Sequence, residues 1–156
     1  MKTKLPARTA LAGSLALLLA ACALPEPKPL EVSMRTIRSA DYGPYPRNYE
    51  RLIRNHLNQT LLDADSAKIR IINSPRRVFR VTDSVTEPNT SAFYLVCVNV
   101  NAKNAYGGYT GWQTKFYRFE HGAISTNGAT SLEACESKND IYIDTLIIYD
   151  RIKVVP

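Results

Sequence analysis

Apolar side chains recur at spacings of three and four between Arg47 and Asp63. The residues of this stripe are Tyr49, Leu52, Ile53, Leu57 and Leu61. Such spacing places them on one face of a helix. Pro46 suits the start of a helix, and the turn-forming run that begins at Asp63 suits its end. The pattern therefore predicts an amphipathic helix over 47–63.

After this helix the pattern changes to the alternation and short apolar runs that are typical of strands. The predicted strands cover 68–73, 77–82, 93–101, 112–120 and 141–149, with a short helix as the alternative for the last of them. His121-Gly122 turns the fourth strand into a short partner strand over 123–125. The strongest strand, 93–101, has one wholly apolar face, which we assign to the core; it consists of Tyr94, Val96, Val98 and Val100. Phe93, Leu95, Cys97 and Asn99 form its other face.

One helix followed by a run of strands predicts an α+β fold. In this fold a single amphipathic helix packs on an antiparallel sheet of about five strands. The segment 32–37 alternates weakly, and we predict that it pairs as an edge strand.

The N-terminus carries a basic segment with Lys2, Lys4 and Arg8, and an uncharged apolar run follows it. This run is shorter than the roughly 20 residues that a membrane-spanning helix needs. It ends in Leu19-Ala20-Ala21-Cys22, which resembles the lipobox of bacterial lipoproteins. The resemblance implies a signal peptide over 1–21 and acylation of Cys22. The alternatives are an uncleaved anchor and an ordinary signal peptide that is cut elsewhere.

Acylation would attach the protein to a membrane through its lipid, because several acyl chains make a stable anchor. Ala23 follows the cysteine, and there is no Asp at that position. By the sorting rule of enterobacterial lipoproteins, this implies the periplasmic face of the outer membrane. The prolines over 23–30 predict a semi-rigid tether, which we extend over 22–40 and to some 50 Å at about 3.1 Å per residue. A single domain over 41–156 then follows.

The formal net charge of the chain is +6. Removing the three basic residues of the signal peptide lowers it to +3, since 17 basic and 14 acidic residues remain. This small charge gives little support for a nucleic-acid partner, and we predict none. Arg76, Arg77 and Arg80 form a basic cluster, which we interpret as a solvated face; phosphate or lipid-headgroup binding is the alternative.

Cys97 and Cys135 remain once Cys22 carries lipid. An even pair of cysteines in an oxidising compartment predicts a disulfide. Two separate buried thiols are the alternative. A redox or metal site is not expected, since the chain has no Cys-x-x-Cys motif and only His56 and His121 as imidazole partners.

The chain contains no recognisable catalytic motif, and we predict no catalytic residue, metal or cofactor. His56 lies at the edge of the apolar stripe of the helix, where a partly buried structural role is expected. His121 lies in the hairpin turn, where exposure is expected. Asp63 and Asp65 fit a capping or turn role better than a cation site.

The connection between the third and fourth long strands is rich in Gly, Asn and aromatic residues. Its candidate partner-binding residues are Asn101, Asn104, Tyr106, Tyr109 and Trp112. Tyr and Trp supply large contact areas at low entropy cost, and Asn supplies hydrogen bonds. The alternative is a long hairpin loop whose aromatic residues cap the core.

Three segments resemble a group of small, largely uncharacterised proteobacterial lipoproteins and secreted proteins. They are Asn48-Tyr49 with its helix, Asp65-Ser66-Ala67-Lys68, and the stretch from Val100-Asn101-Ala102-Lys103-Asn104 to Gly107-Gly108-Tyr109-Thr110-Gly111. The resemblance spans about 41–120 and implies a shared fold and compartment, but no activity. The family usually has Asp-Pro-Asp where this chain has Asp63-Ala64-Asp65.

These observations favour a non-enzymatic lipoprotein of the cell envelope that binds an envelope protein or the cell wall. An inhibitor of a periplasmic or host hydrolase such as lysozyme is the alternative, although the mildly basic domain would be steered poorly toward a basic lysozyme. An enzyme is the remote third hypothesis.

Overall fold

The computed structural model describes residues 30–82, 89–126, 130–146 and 152–156. The predicted signal peptide, Cys22 and the proline-rich segment before residue 30 lie outside the described residues.

Within the described residues the chain forms eight strands and three helices. In chain order they are β1 (Leu30–Ser33), α1 (Met34–Ser39), α2 (Tyr49–Thr60), β2 (Lys68–Ile71), β3 (Arg76–Thr82), β4 (Asn89–Asn101), β5 (Gln113–Glu120), β6 (Ala123–Ser125), α3 (Glu133–Glu136), β7 (Ile141–Leu146) and β8 (Ile152–Val155). The mixed α and β content and the mostly antiparallel main sheet agree with the predicted α+β class.

The main sheet has six strands, and β4 is its longest member. The order β6-β5-β4-β3-β7 describes most of it, and β2 also pairs with β4. β3 pairs with the first half of β4, from Asn89 to Leu95, whereas β2 pairs with its end, from Val98 to Asn101. The pairing of β3 with β7 is parallel, which the antiparallel prediction missed.

Helix α2 covers one face of the sheet, as its apolar stripe predicts. Ile53 and Leu57 of the helix are buried, and they pack on Val96, Val98 and Val100 of β4. The prediction that this face of β4 belongs to the core is therefore confirmed.

The opposite face of β4 is buried as well, which the sequence analysis did not predict. Phe93, Leu95 and Cys97 are all excluded from solvent there. The cover comes from the short helix α3, whose Ala134 and Cys135 pack in the same cluster. The sulfur atoms of Cys97 and Cys135 lie at disulfide-bonding distance, with Cα atoms 5.8 Å apart, as predicted. This bond holds α3 against the sheet.

Residues 30–40 pack against the domain, although the sequence analysis placed them in the tether. Strand β1 pairs with β8 in a separate two-stranded parallel sheet. The predicted edge strand over 32–37 ends early, because Ser33 caps a helix there: its hydroxyl oxygen accepts the backbone N–H of Thr36 at 3.1 Å. Ile37 of α1 is fully buried against Phe79 and Val81 of β3. The last predicted strand, 141–149, is described as β7 up to Leu146.

Candidate partner-binding surface

The connection between β4 and β5 is a loop with an internal hydrogen-bond network. The side-chain oxygen of Asn104 accepts the backbone N–H groups of Tyr106 and Gly108, at 3.0 and 3.1 Å. The side-chain oxygen of Asn101 accepts the N–H of Gly111 at 3.1 Å. These two asparagine oxygens therefore shape the loop, a role that differs from the direct partner contact proposed from the sequence.

Backbone contacts tighten the same loop. The N–H of Gly107 donates to the carbonyl oxygen of Asn104, and the N–H of Thr110 donates to that of Ala102, both at 3.0 Å. Gly107 and Gly111 have φ angles of 79° and 88°, a region that L-residues with a side chain rarely adopt. Glycine at these two positions allows the chain to turn sharply and return to β5.

The three aromatic side chains of the loop reach solvent. Tyr106 is 97% exposed, Tyr109 is 45% exposed and Trp112 is 49% exposed. They do not cap the core, which was the alternative considered for this loop. Tyr106 stands at the tip, whereas Tyr109 and Trp112 lie nearer to the sheet.

Cationic side chains of β2 cover the rings of Tyr109 and Trp112. The Lys68 ammonium lies 4.8 Å from the centroid of Tyr109, and the Arg70 guanidinium lies 5.2 Å from that of Trp112. Cations over aromatic faces are attracted by the ring quadrupole, and the contact restricts both partners. Lys68 and Arg70 were not among the residues predicted for this site. Their alternation with Ile69 and Ile71 indicates that they face outward, but their proximity to the loop follows from the β2–β4 register.

The turn after α2 makes further hydrogen bonds and an ion pair with the loop. The hydroxyl of Tyr109 donates to the backbone oxygen of Ser66 at 3.0 Å. Lys103 pairs with Asp63 at 3.2 Å, and Asp63 also accepts the backbone N–H of Ser66. Hydrogen bonds from Ser66 and Lys103 lower the pKa of the Asp63 carboxyl. Asp63 thus has the turn role that the sequence predicts.

We call the group formed by Tyr106, Tyr109, Trp112, Lys68 and Arg70 the loop patch. It lies at the end of β4, where Lys68 pairs with Asn101 and Arg70 with Asn99, and where the chain leaves β4 for the loop. Helix α1 packs near the other end, since Phe79, its contact on β3, pairs with Ala92 of β4. Asn101 follows Ala92 by nine positions (101 − 92), which is about 30 Å along a strand. The loop patch and α1 therefore occupy opposite ends of the molecule.

The basic cluster predicted as a solvated face is engaged in internal contacts. Arg80 is buried and donates to Asp144, at 3.0 Å from Nε and 2.8 Å from the terminal nitrogen. Arg77 pairs with Asp140, and Arg76 donates to the backbone oxygen of Ala134 at 3.2 Å. These contacts join β3 to β7 and α3, so the cluster contributes to the fold.

The two histidines lie apart from the loop patch. His56 is half-buried, and its ring meets that of Tyr117 edge to face, with Nδ1 3.5 Å from the phenolic oxygen. Burial raises the pKa of Tyr117 to about 12. His121 is exposed in the β5–β6 turn, as predicted, and its Nε2 lies 2.9 Å from an oxygen of Asp41.

The described residues contain no group of three or more His, Cys, Asp and Glu side chains that could hold a metal ion. In the same part of the chain, no helix combines the length and apolar character needed to cross a membrane.

Comparisons with protein-family models, with curated proteins and with solved structures gave no match.

Proposed function

We propose that this chain is a non-enzymatic lipoprotein of the cell envelope that binds an envelope partner through the loop patch. In this proposal Cys22 carries the lipid, the anchor lies at the periplasmic face of the outer membrane, and the partner is a protein or the cell wall. The observation that carries the proposal is the exposure of three aromatic side chains on a loop held by its own hydrogen bonds.

The loop is suited to binding because it is already ordered. A surface that must fold on binding loses affinity to the entropy of ordering, whereas a preorganised one does not. Tyr106 is 97% exposed, and the described residues give its side chain no partner. An exposed Tyr on a rigid backbone is a good candidate for an anchor that enters a pocket of the partner.

The position of the loop patch also supports the proposal. Residues from Leu30 onward pair within the domain, so at most eight residues (30 − 22) remain for a tether after Cys22, which would span up to about 25 Å at about 3.1 Å per residue. This is half of the length expected from the sequence. Because Leu30 lies close to α1 in the chain, we expect the anchor on the α1 side of the molecule, with the loop patch at the opposite end facing away from the membrane, where a periplasmic partner is accessible.

The first experiment follows acylation and capture in a Gram-negative host. Labelling with an alkyne fatty acid should mark the full-length chain, and Cys22→Ser should remove the label. Affinity capture from membranes should recover one envelope partner. Replacing Tyr106, Tyr109 and Trp112 by Ala should abolish capture without unfolding the domain.

Leu132→Ala provides the matched control for capture. Leu132 is 57% exposed and directly precedes α3, whose Ala134 and Cys135 pack on the middle of β4 and not on the loop patch. This variant should capture the same partner as the unchanged protein. Capture that survives the triple replacement would refute the assignment of the loop, and an unlabelled chain would refute the lipoprotein assignment.

Inhibition of a hydrolase is a second candidate, because a protruding side chain such as Tyr106 suits a cleft. The nearby Lys68 and Arg70 make approach to a basic lysozyme unfavourable. An assay of cell-wall lysis by lysozyme, with and without this protein, separates the two functions. If the protein inhibits lysis and Tyr106→Ala abolishes the inhibition, hydrolase inhibition would replace the first proposal.

A further inference from the structure

Strand β2 has an open edge beside the loop patch. Among the described residues β4 is the one strand that pairs with β2. The N–H of Ile72 donates to the carbonyl oxygen of Cys97 in β4 at 2.9 Å. Because backbone groups alternate in direction along a strand, the N–H and C=O groups of Ile69 and Ile71 point away from β4. No described loop supplies them with a backbone hydrogen bond.

The apolar side chains of β2 lie on one face of the strand, and its cationic side chains lie on the other. Ile69 and Ile71 pack toward α2 in the core. Lys68 and Arg70 are exposed on the other face, two residues apart, and the rings of Tyr109 and Trp112 hold their cationic groups in place. An added strand would place every second side chain on this cationic face.

We propose that β2 is the docking edge for an extended acidic segment of a partner protein. The segment would add a strand beside β2, with its backbone bonded to Ile69 and Ile71. Carboxylate side chains two residues apart would lie opposite Lys68 and Arg70, where opposite charges stabilise a strand pair. This inference rests on the proposed function and assigns a chemistry to its partner.

A glycan is a weaker fit to the same surface. Sugars bind aromatic residues by stacking on a ring face, but cations already lie over faces of Tyr109 and Trp112. A second copy of this chain also fits poorly. Pairing of two β2 edges would bring Lys68 and Arg70 of both copies together on one face, and like charges there are destabilising.

The test uses the full-length protein in detergent and a fluorescent six-residue peptide. The peptide has Glu at every second position, with Val or Thr between. It should bind, and the same peptide with Lys in place of Glu should not. K68E/R70E should weaken binding of the Glu peptide by about tenfold or more and should instead bind the Lys peptide.

R35E/R38E is the charge-matched control, since both arginines lie on α1 at the opposite end of the molecule. It changes the net charge by the same amount and should leave the affinity within about twofold. A Glu peptide whose backbone is N-methylated on the pairing side should bind about tenfold more weakly, because it cannot complete the strand.

Three results would overturn the inference. If the Glu peptide binds K68E/R70E as tightly as the unchanged protein, β2 is not its docking edge. If the N-methylated Glu peptide binds as tightly as the unmethylated one, only charge attraction holds the peptide and no strand is added. A dimer of the unchanged protein that prevents binding of the Glu peptide would assign the edge to a second copy. Failure here leaves capture through Tyr106 unaffected, whereas failure of the proposed function removes capture and leaves peptide binding intact.

Discussion

Asn73 completes the hydrogen bonding of β4 at the gap between β2 and β3. Its side-chain oxygen accepts the N–H of Cys97 at 2.9 Å, and its side-chain nitrogen donates to the carbonyl oxygen of Leu95 at 3.1 Å. Both β4 residues are buried, so these backbone groups have no access to water. One side chain thus replaces a strand residue at the centre of the sheet.

Asn73→Ala should lower the free energy of unfolding by about 2 kcal/mol, since it leaves a buried donor and a buried acceptor unsatisfied. Urea denaturation measures the change. Asn58→Ala, at an exposed position of α2, is the control and should alter stability by less than about 0.5 kcal/mol. Equal midpoints for the two variants would show that Asn73 is dispensable.

The contact between His121 and Asp41 joins the β5–β6 turn to the segment before α2. The hydrogen bond to Asp41 raises the pKa of His121 and lowers the pKa of Asp41. Gly43 makes the close approach possible, because a Cβ there would lie 3.0 Å from the backbone nitrogen of His121. Its φ of 71° also favours glycine.

The sign of the pH dependence follows from these shifts. The raised pKa of His121 gives stability that is full below its ordinary value of about 6.5 and is lost as pH rises through the folded value. The lowered pKa of Asp41 gives stability that is lost in acid. His121→Asn retains a residue that tolerates positive φ, and urea midpoints from pH 5 to pH 8 should show its deficit shrinking as pH rises. A deficit that grows with pH would contradict the ion pair.

At the scale of elements, local patterns predict most of the sheet and α2. Helix α2 lies within the predicted 47–63, and β6 has the predicted bounds. Alternation and periodicity are local properties, so they are visible in the sequence. The sequence also places Gly, Asn and aromatic residues together in the β4–β5 loop, but it leaves open whether the aromatic side chains cap the core or face solvent.

Elements that depend on distant partners were not predictable in this way. Strand β8 pairs with β1 from the other end of the chain, and α1 depends on the burial of Ile37 against β3. Lys68 and Arg70 join the loop patch through the register of β2 on β4. The spacing of residues within a short segment cannot predict contacts between residues that are far apart in the chain.

The packing of α1 gives a prediction at this scale. Ile37→Ala should lower the free energy of unfolding by about 2–5 kcal/mol, because it removes a fully buried side chain and leaves a cavity. Val154→Ala is the control: Val154 lies in β8, which pairs with β1 just before α1, but it is 39% exposed, so its loss should cost much less. Thermal or urea unfolding compares them. Similar losses for both would show that α1 is only loosely packed.

The disulfide gives a second prediction for elements. Its closed loop spans 38 residues, and removing it with the double variant Cys97→Ala and Cys135→Ala should lower the free energy of unfolding by about 2–5 kcal/mol. Reduction of the unchanged protein should give a loss of similar size. Urea curves that coincide with and without reductant would contradict a stabilising bond.

At the scale of the whole molecule, the length of β4 separates α1 from the loop patch by about 30 Å, and we expect the anchor on the α1 side. This separation can be measured, because Trp112 is the only tryptophan of the chain. In vesicles that carry the lipidated protein, energy transfer from Trp112 to a dansyl headgroup lipid should be weak. Arg35→Trp in a Trp112→Phe background should show stronger transfer, and the reverse order would contradict the arrangement.

The central claim is that the loop patch contacts an envelope partner while Cys22 anchors the protein. Photocrosslinking in living Gram-negative cells tests it directly, with a benzophenone amino acid in place of Tyr106. We expect one crosslinked envelope partner from position 106, none from the matched exposed position of Leu132, and loss of the product with Cys22→Ser. No product at position 106, or the same products from both positions, would contradict the account.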